Sequence, residues 1–185
     1  LYSGPGDVCF SKGDSIEIEV LEEISGNIVA SDQVICQGSS PEILSGQELT
    51  GGIGGYSYHW EIKGDEEEVW NAVSGEGNNA EYTPGILNDT VNYRRIVFSG
   101  PENTCKDTSN VLIIRVQPAI SNNEILEDEL ATCKGTAPEL IEGTDNVPGG
   151  DGNPAYFWEQ SPNDQFWSSA PGNNTAADYQ PGILN

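Results

Sequence analysis

Apolar and polar residues alternate with a period of two along several short stretches of the chain. In the stretch at 56–62, YSYHWEI, Tyr58 and Trp60 fall on one side while His59 falls on the other. The stretch at 111–116, VLIIRV, alternates in the same way, with Leu112 on the apolar side. A period of two is typical of strands that turn one face to a core. The pattern therefore predicts β-strands and places Tyr58, Trp60 and Leu112 in a core.

Turn-forming residues separate these stretches. The 185 residues include 22 Gly and 11 Pro, and clusters with Asn and Asp lie between the apolar runs. Such clusters mark turns. Further candidate strands are 41–47, 69–73, 80–84 and 91–98, with an edge strand in 24–34. The one helix-like segment, 124–131, is expected to be extended because its counterpart GNIVASDQ lacks a helical period. We therefore predict an all-β fold.

Four blocks of the sequence recur after 96–98 residues. The block GGIGGYSYHWEI at 51–62 returns as GGDGNPAYFWEQ at 149–160, and AEYTPGILN at 80–88 returns as AADYQPGILN at 176–185. LYSGPGDVCF at 1–10 matches VFSGPENTCK at 97–106, and VICQGSSPEIL at 34–44 matches ATCKGTAPELI at 131–141. A repeat of this length is close to one immunoglobulin sandwich, so we expect tandem immunoglobulin-like β-sandwiches.

The repeat divides the chain into three parts. Residues 1–23 match the C-terminal strands of a preceding repeat, residues 24–118 form a complete repeat, and residues 119–185 form one that stops before its last two strands. The predicted core aromatic residues are Tyr58, Trp60 and Tyr82 in the complete repeat, and Tyr156, Trp158 and Tyr179 in the next.

A combination of short motifs runs through the complete repeat. It consists of C-x-G-x-x-P-x-x-L from Cys36, G-G-x-G-x-Y-x-Y-x-W from Gly51, Trp70, Y-x-P-G-x-L from Tyr82, Tyr93-Arg94-Arg95, and Cys105 ahead of the last strand. This combination resembles the tandem repeats of giant Bacteroidota surface adhesins, similar to the gliding-motility adhesins exported by the type IX route. The resemblance implies an immunoglobulin-like or PKD-like sandwich at the cell surface, without catalytic residues.

The resemblance also bears on the four cysteines, Cys9, Cys36, Cys105 and Cys133. They are single cysteines far apart in sequence and lack the clustered spacing of a zinc site. In an extracellular chain they are candidates for structural disulfides. A bond between Cys36 and Cys105 would close each repeat on itself, whereas a standard sandwich would put these two residues at opposite poles. Both alternatives stay open at this point.

Charge excludes several classes of partner. Thirty Asp and Glu residues face seven Lys and Arg, for a formal net charge of -23. No basic patch is available for a phosphate backbone, so nucleic acid is not an expected partner. No stretch approaches the roughly 20 apolar residues of a spanning helix, and we expect no membrane insertion.

Few residues are candidates for catalysis or for binding a cofactor or metal. His59 is the only histidine, it points away from the predicted core face, and Phe157 takes its place in the next repeat. We therefore expect His59 to be a solvated strand residue, and we expect that the protein is not an enzyme. The acidic runs at 65–68 and 127–129 and the turn at 149–154 lack the spaced ligands of a hand-type loop, so no cofactor is expected and calcium is the alternative.

Together these patterns predict a non-catalytic stalk or filament segment of an extracellular surface adhesin. Its expected partners are neighbouring copies or repeats of the same protein in a fibre, and surface glycans. The alternative is a carbohydrate-binding module of an exported enzyme, which would need Trp70 and Trp167 exposed as a platform. We further expect residues 1–20 of a neighbour, through Ile16, Ile18 and Val20, to complete the core of residues 133–185, as a covalent repeat or a donated strand.

Overall fold

The computed structural model describes residues 2–3, 5–6 and 9–184, and the side chains of residues 5–6 and 10–184. As the alternating pattern predicts, the described residues form an all-β protein. The strands are β1 (Tyr2–Ser3), β2 (Cys9–Phe10), β3 (Glu22–Ser25), β4 (Gln33–Cys36), β5 (Thr50–Gly52), β6 (Tyr56–Gly64), β7 (Asn71–Ala72), β8 (Val91–Ser99), β9 (Cys105–Thr108), β10 (Leu112–Gln117), β11 (Glu159–Gln160) and β12 (Ser168–Ser169). A short 3-10 turn spans Pro101–Asn103. Among these residues, no helix has the length and apolarity needed to cross a membrane.

The largest sheet has six strands in the order β4-β10-β8-β6-β7, with β9 also paired to β8. Its centre is the antiparallel pair of β6 and β8, which runs from Tyr56 opposite Ser99 to Gly64 opposite Val91. Both strands are rich in aromatic and β-branched residues, which favour a pleated, half-buried surface. Strand β4 joins the sheet parallel to β10, while β3 and β5 form a separate antiparallel pair.

The main core lies on one face of this sheet. Residues that pair directly share a face, so Trp60 lies beside Arg95, and Tyr93 lies between Ile62 and Leu112. The buried cluster consists of Val29, Leu44, Trp60, Tyr82, Tyr93, Leu112 and Ile114. Three of these residues come from segments outside the sheet that cover its face: Val29, Leu44 and Tyr82. Burial in this cluster raises the pKa of the Tyr93 phenol.

The covering segments differ from the strands expected there. Segments 41–47 and 80–84 are joined by an isolated bridge between Leu44 and Tyr82, in which each backbone N–H donates to the other residue's carbonyl. Tyr58, expected in the same core, is half-buried outside the main cluster. These segments therefore act as an irregular layer over the sheet.

Residues 11–20 form no strand and are exposed throughout. Ile16, Ile18 and Val20 are 86%, 81% and 89% exposed. By contrast, Leu112 and Ile114, which match Ile16 and Ile18 in sequence, are fully buried in β10. An alternating pattern alone does not make residues 12–20 a strand, because a strand also needs a neighbouring strand for its backbone N–H and C=O groups.

Contacts within residues 25–118 recur in residues 119–184. Trp60 Nε1 donates to the Asn79 carbonyl at 3.1 Å, and Trp158 Nε1 donates to the Ala176 carbonyl at 2.9 Å. The bridge from Leu44 to Tyr82 recurs as one from Ile141 to Tyr179. Three further hydrogen bonds recur. The bond from Val73 N to Trp60 O matches that from Ala170 N to Trp158 O, and the bond from Gly38 N to Leu87 O matches that from Gly135 N to Leu184 O. The bond from the Tyr82 hydroxyl to Ser74 O matches that from the Tyr179 hydroxyl to Pro171 O. Asn185, which matches Asn88, lies outside the described residues.

The N-terminal hairpin has a counterpart as well. In β1 and β2, Tyr2 pairs with Phe10 and Ser3 pairs with Cys9. In β8 and β9, Phe98 pairs with Lys106 and Ser99 pairs with Cys105, which is the same register 96 residues later. The pairing of Tyr2–Ser3 with Cys9–Phe10 therefore matches that of Phe98–Ser99 with Cys105–Lys106.

Trp60 and Trp158 provide a matched test of core burial. Trp60 is fully buried, while Trp158 is half-buried and stacks on Tyr179 with ring centroids 5.6 Å apart. We expect Trp60→Ala to lower the free energy of unfolding by about 3–5 kcal/mol, and Trp158→Ala to lower it by less, because less packing is lost. Urea denaturation measures both. Ile53→Ala, at a 59% exposed position, serves as the control, with an expected change within about 0.5 kcal/mol.

Candidate functional site

A buried arginine is the most unusual charged group of the described chain. Strand β8 places Arg95 on the core face, where it is only 2% exposed. Its Nε donates to Asn27 Oδ1 at 3.0 Å, and its Nη1 donates to the Ala80 carbonyl at 3.0 Å. The guanidinium carbon lies 5.4 Å from the Tyr58 ring and 5.9 Å from the Trp60 ring. Two oxygens and two aromatic faces therefore replace the water that burial removes.

The remaining wall of this site is a glycine. A side chain on Gly46 would collide with the guanidinium of Arg95, so a residue without a Cβ is needed there. Arg95 Nη2 is buried and has no hydrogen-bond partner among the described residues. Burial lowers the pKa of Arg95 from its ordinary value, although an arginine keeps its proton under ordinary conditions. We call Asn27, Gly46, Tyr58, Trp60 and the Ala80 carbonyl the arginine socket.

The neighbouring Arg94 points to the opposite face of β8. Its Nε and Nη2 both contact Glu61 Oε2 at 2.6 Å, which makes a charge-assisted pair. Its guanidinium carbon also lies 4.3 Å from the centre of the Trp70 ring, and Lys63 Nζ lies 5.6 Å from the same ring. Both faces of β8 therefore anchor an arginine on an aromatic side chain.

The described chain has an open cavity beside the socket and another in residues 120–177. The first, of about 890 Å3, adjoins the socket and is lined by Tyr56, Tyr58, Glu76 and Glu81. The second, of about 510 Å3, lies within residues 120–177. Its aromatic wall consists of Tyr156, Phe157, Trp158 and Trp167, and its carboxylates are Glu124 and Glu159.

His59 lies on the outer face of β6. Its Nε2 is 4.0 Å from Glu61 Oε1, and the side chain is 37% exposed. Glu61 is itself paired with Arg94. The geometry is that of a half-exposed strand residue at the rim of an ion pair.

Of the two alternatives for Cys36 and Cys105, the structure has the one in which they lie at opposite poles, and Cys36, Cys105 and Cys133 are not bonded. Cys105 pairs with Ser99 at one end of β8, whereas Cys36 pairs with Gln117 beyond the other end. At about 3.3 Å per residue, the length of β8 alone separates them by roughly 25 Å, far above the ~7 Å that a disulfide spans. The side chain of Cys9 lies outside the described residues.

The side chains of the acidic runs are exposed, except that of the half-buried Glu127, and several of them accept hydrogen bonds from within the chain. Asp65 Oδ1 accepts from Asn92 Nδ2 at 3.3 Å, and Glu67 Oε2 accepts from the Gly64 N–H at 3.2 Å. In the turn at 149–154, Asp151 Oδ1 accepts from the Asn153 N–H at 2.9 Å. Among the residues with described positions, no three His, Cys, Asp or Glu side chains are grouped so that they could hold a metal ion.

The two candidate platform tryptophans differ. Trp70 is half-buried, with Arg94 over its ring. Trp167 is 56% exposed and borders the second cavity. The two residues therefore do not form equivalent platforms in the described chain.

The sequence reasoning missed Arg95, because charged residues are rarely assigned to a core. Two signals were nevertheless present. Arg95 continues the alternation of Val91, Tyr93 and Val97. The bridge from Val29 to Gly46 recurs from Ile125 to Gly143, which corrects the offset of residues 27–29 to 96 and shows that Asn27 and Gly46 are retained as Asn123 and Gly143. An alternating strand with one arginine on its apolar side, together with a retained asparagine and glycine elsewhere, indicates a buried guanidinium.

A double-mutant cycle tests the contact between Gly46 and Arg95. We expect Gly46→Ala to lower the free energy of unfolding by about 1–3 kcal/mol through overpacking, and Arg95→Ala to lower it by about 3 kcal/mol through lost packing and unpaired acceptors. In the Arg95→Ala background, Gly46→Ala should cost almost nothing, because the guanidinium is gone. Urea denaturation of the four proteins measures the coupling, and additive effects would contradict the contact.

Thiol labelling tests the distance between Cys36 and Cys105. In a Cys9→Ser, Cys133→Ser variant kept in aerated buffer, both remaining cysteines should react with iodoacetamide after unfolding without reductant. Mass spectrometry of the digest reads the result. A linked peptide containing both cysteines would contradict the geometry of the sheet.

No curated protein matches the chain. A family model described as "Domain of unknown function (DUF8696)" matches residues 25–118. The matched stretch begins in β3, ends just after β10, and contains the arginine socket together with the whole six-stranded sheet. Because the match covers half of the chain, the chain belongs to the DUF8696 family.

Proposed function

We propose that this chain is a segment of the stalk or filament of an extracellular surface adhesin, built from tandem immunoglobulin-like sandwiches and without catalysis. The observation that carries the proposal is the recurrence of the same contacts at a spacing of 96–98 residues. The hairpin register of β8 and β9 recurs in β1 and β2, and the hydrogen bond of Trp60 recurs at Trp158. Such recurrence is typical of arrays in which each unit contacts its neighbours in turn.

The sandwich interpretation rests on the two layers around the main core. Trp60, Leu112 and Ile114 come from the sheet, while Leu44 and Tyr82 come from the segments that cover it. The length of the family match, residues 25–118, is that of one immunoglobulin-like domain. The parallel pairing of β4 with β10 places an early strand of the unit beside its last strand in one sheet.

The net negative charge and the exposed apolar side chains near the N-terminus are consistent with a filament. A net charge of -23 keeps neighbouring stalks apart and in solution. The partners in the proposal are neighbouring copies or repeats of the same protein. The exposed side chains of Ile16 and Ile18 support this, because their sequence counterparts, Leu112 and Ile114, are core residues of β10. The resemblance to the adhesins of gliding bacteria supplies the cell-surface location, and surface glycans are the proposed adhesive target.

The second candidate function is carbohydrate binding. It is favoured by one observation, the exposed ring of Trp167 at the edge of an aromatic-lined cavity. Aromatic rings with one open face are suited to stacking on sugars. A glycan array probed with the full chain and with Trp167→Ala tests it, and binding that is lost in the variant would favour this function.

Negative-stain imaging of the assembly purified from native cells tests the stalk proposal. We expect a thread with beads about 35 Å across, the diameter of a domain of roughly 100 residues. The beads should follow one another at regular spacing, and antibodies raised against the chain should decorate the thread. A compact particle without repeating beads would contradict the proposal.

A further inference from the structure

The residues that hold the two arginines of β8 recur in residues 119–184. The members of the arginine socket match residues of the same type at offsets of 96–98: Asn27 matches Asn123, Gly46 matches Gly143, Tyr58 matches Tyr156, Trp60 matches Trp158 and Ala80 matches Ala177. The matches follow the backbone as well. Gly26 and Asn122, which precede the two asparagines, have positive φ angles of 80° and 57°.

All five of these counterparts line the second cavity. In the complete unit the same five positions surround the guanidinium of Arg95. The cavity therefore has the walls of an arginine socket, with a volume of about 510 Å3 open between them.

The partners of Arg94 recur at the edge of the same cavity. Glu61 matches Glu159, and Trp70 matches Trp167. Trp70 is half-buried beneath Arg94, whereas the ring of Trp167 is 56% exposed. Glu159 and Glu124 add two carboxylates to the cavity wall, which gives it the charge that complements a basic segment.

The backbone beside the cavity is arranged for a strand. In the complete unit, Glu61 and Ile62 of β6 pair with β7 on one side, and the other side of β6 pairs with β8. In residues 119–184, Glu159 and Gln160 of β11 pair with β12 in the corresponding register. Among the described residues, no strand pairs with the side of β11 that corresponds to the β8 side of β6, and Glu159 of β11 lines the cavity.

We propose that residues 119–184 form a docking site for an extended segment that carries an arginine pair, equivalent to Val91–Ser99. The segment adds as a strand beside β11. Its second arginine enters the socket of Asn123, Gly143 and the Ala177 carbonyl, and its first arginine pairs with Glu159 over the ring of Trp167. The proposal deepens the function proposed above and rests on the same equivalence of units, because it names the segment that completes a unit.

A peptide with the sequence of residues 89–99, DTVNYRRIVFS, is the probe. It is labelled with fluorescein and titrated with the full 185-residue chain, and fluorescence anisotropy measures binding. We expect saturable binding. Replacing the arginine equivalent to Arg95 by Met should weaken it about 10- to 100-fold through loss of charge-assisted hydrogen bonds. Replacing the arginine equivalent to Arg94 should weaken it about 2- to 5-fold, as for an exposed ion pair.

Variants of the chain locate the bound peptide. Asn123→Lys places a cation in the socket and should abolish binding, while Asn173→Lys makes the same change at an exposed position outside the cavity and should leave it intact. Glu159→Arg should weaken binding, and a peptide with Glu at the position of Arg94 should restore it. Urea denaturation of each variant shows that it folds.

Three results would overturn the proposal. They are equal binding of a peptide with the same composition in scrambled order, equal binding after the Arg95-equivalent arginine is replaced by Met, and equal losses from Asn123→Lys and Asn173→Lys. If an oligosaccharide displaces the peptide from the cavity, and if Trp167→Ala abolishes binding of that oligosaccharide, the cavity is a sugar-binding site instead. If the peptide fails to bind but native material shows beaded threads, the docking proposal fails while the stalk proposal stands. The failure of one proposal is therefore distinguishable from the failure of the other.

Discussion

The guanidinium of Arg95 holds the two layers of the complete unit together. The side chain leaves the middle of the sheet on β8 and reaches Asn27 and the Ala80 carbonyl, which belong to segments that cover the sheet. A buried cation without these oxygens would be strongly destabilising, so the covering segments must take up one position relative to the sheet. Gly46 is required by the same constraint, since the guanidinium occupies the space of its side chain. A polar contact thus sets the arrangement of a largely apolar core.

The rest of the unit is built around this contact and the aromatic residues beside it. Trp60 lies under the guanidinium, and its indole N–H reaches the carbonyl of Asn79, next to Ala80. The Tyr82 ring lies 6.2 Å from that of Trp60 and 5.8 Å from that of Tyr93. Irregular segments can form one layer of a domain when every buried polar group in them has a partner. The hydrogen bonds of Asn27, Asn79 and Ala80 meet that requirement here.

In residues 119–184 the counterparts of the arginine-socket residues line an open cavity. Trp158 and Tyr179 stack, and the backbone bonds of the complete unit recur, yet Trp158 is only half-buried and Trp167 is exposed. Among the described residues of 119–184, no strand pairs with β11 on the side that β8 takes beside β6. The backbone contacts that join Ile141 to Tyr179 and Gly135 to Leu184 nevertheless match those of residues 25–118.

The sequence by itself determined the all-β class, the strands β6, β8 and β10, and the burial of Trp60 and Leu112. Periodicity reports which side of a strand is apolar, and that information is local. The sequence also contained the spacing of 96–98 residues at which the contacts recur. Only the tertiary structure decided that Arg95 is a core residue, that Cys36 and Cys105 lie at opposite ends of the sheet, and that segments 41–47 and 80–84 are joined by an isolated bridge. These facts depend on which distant segments become neighbours, and the periodicity of one strand carries no information about its partners.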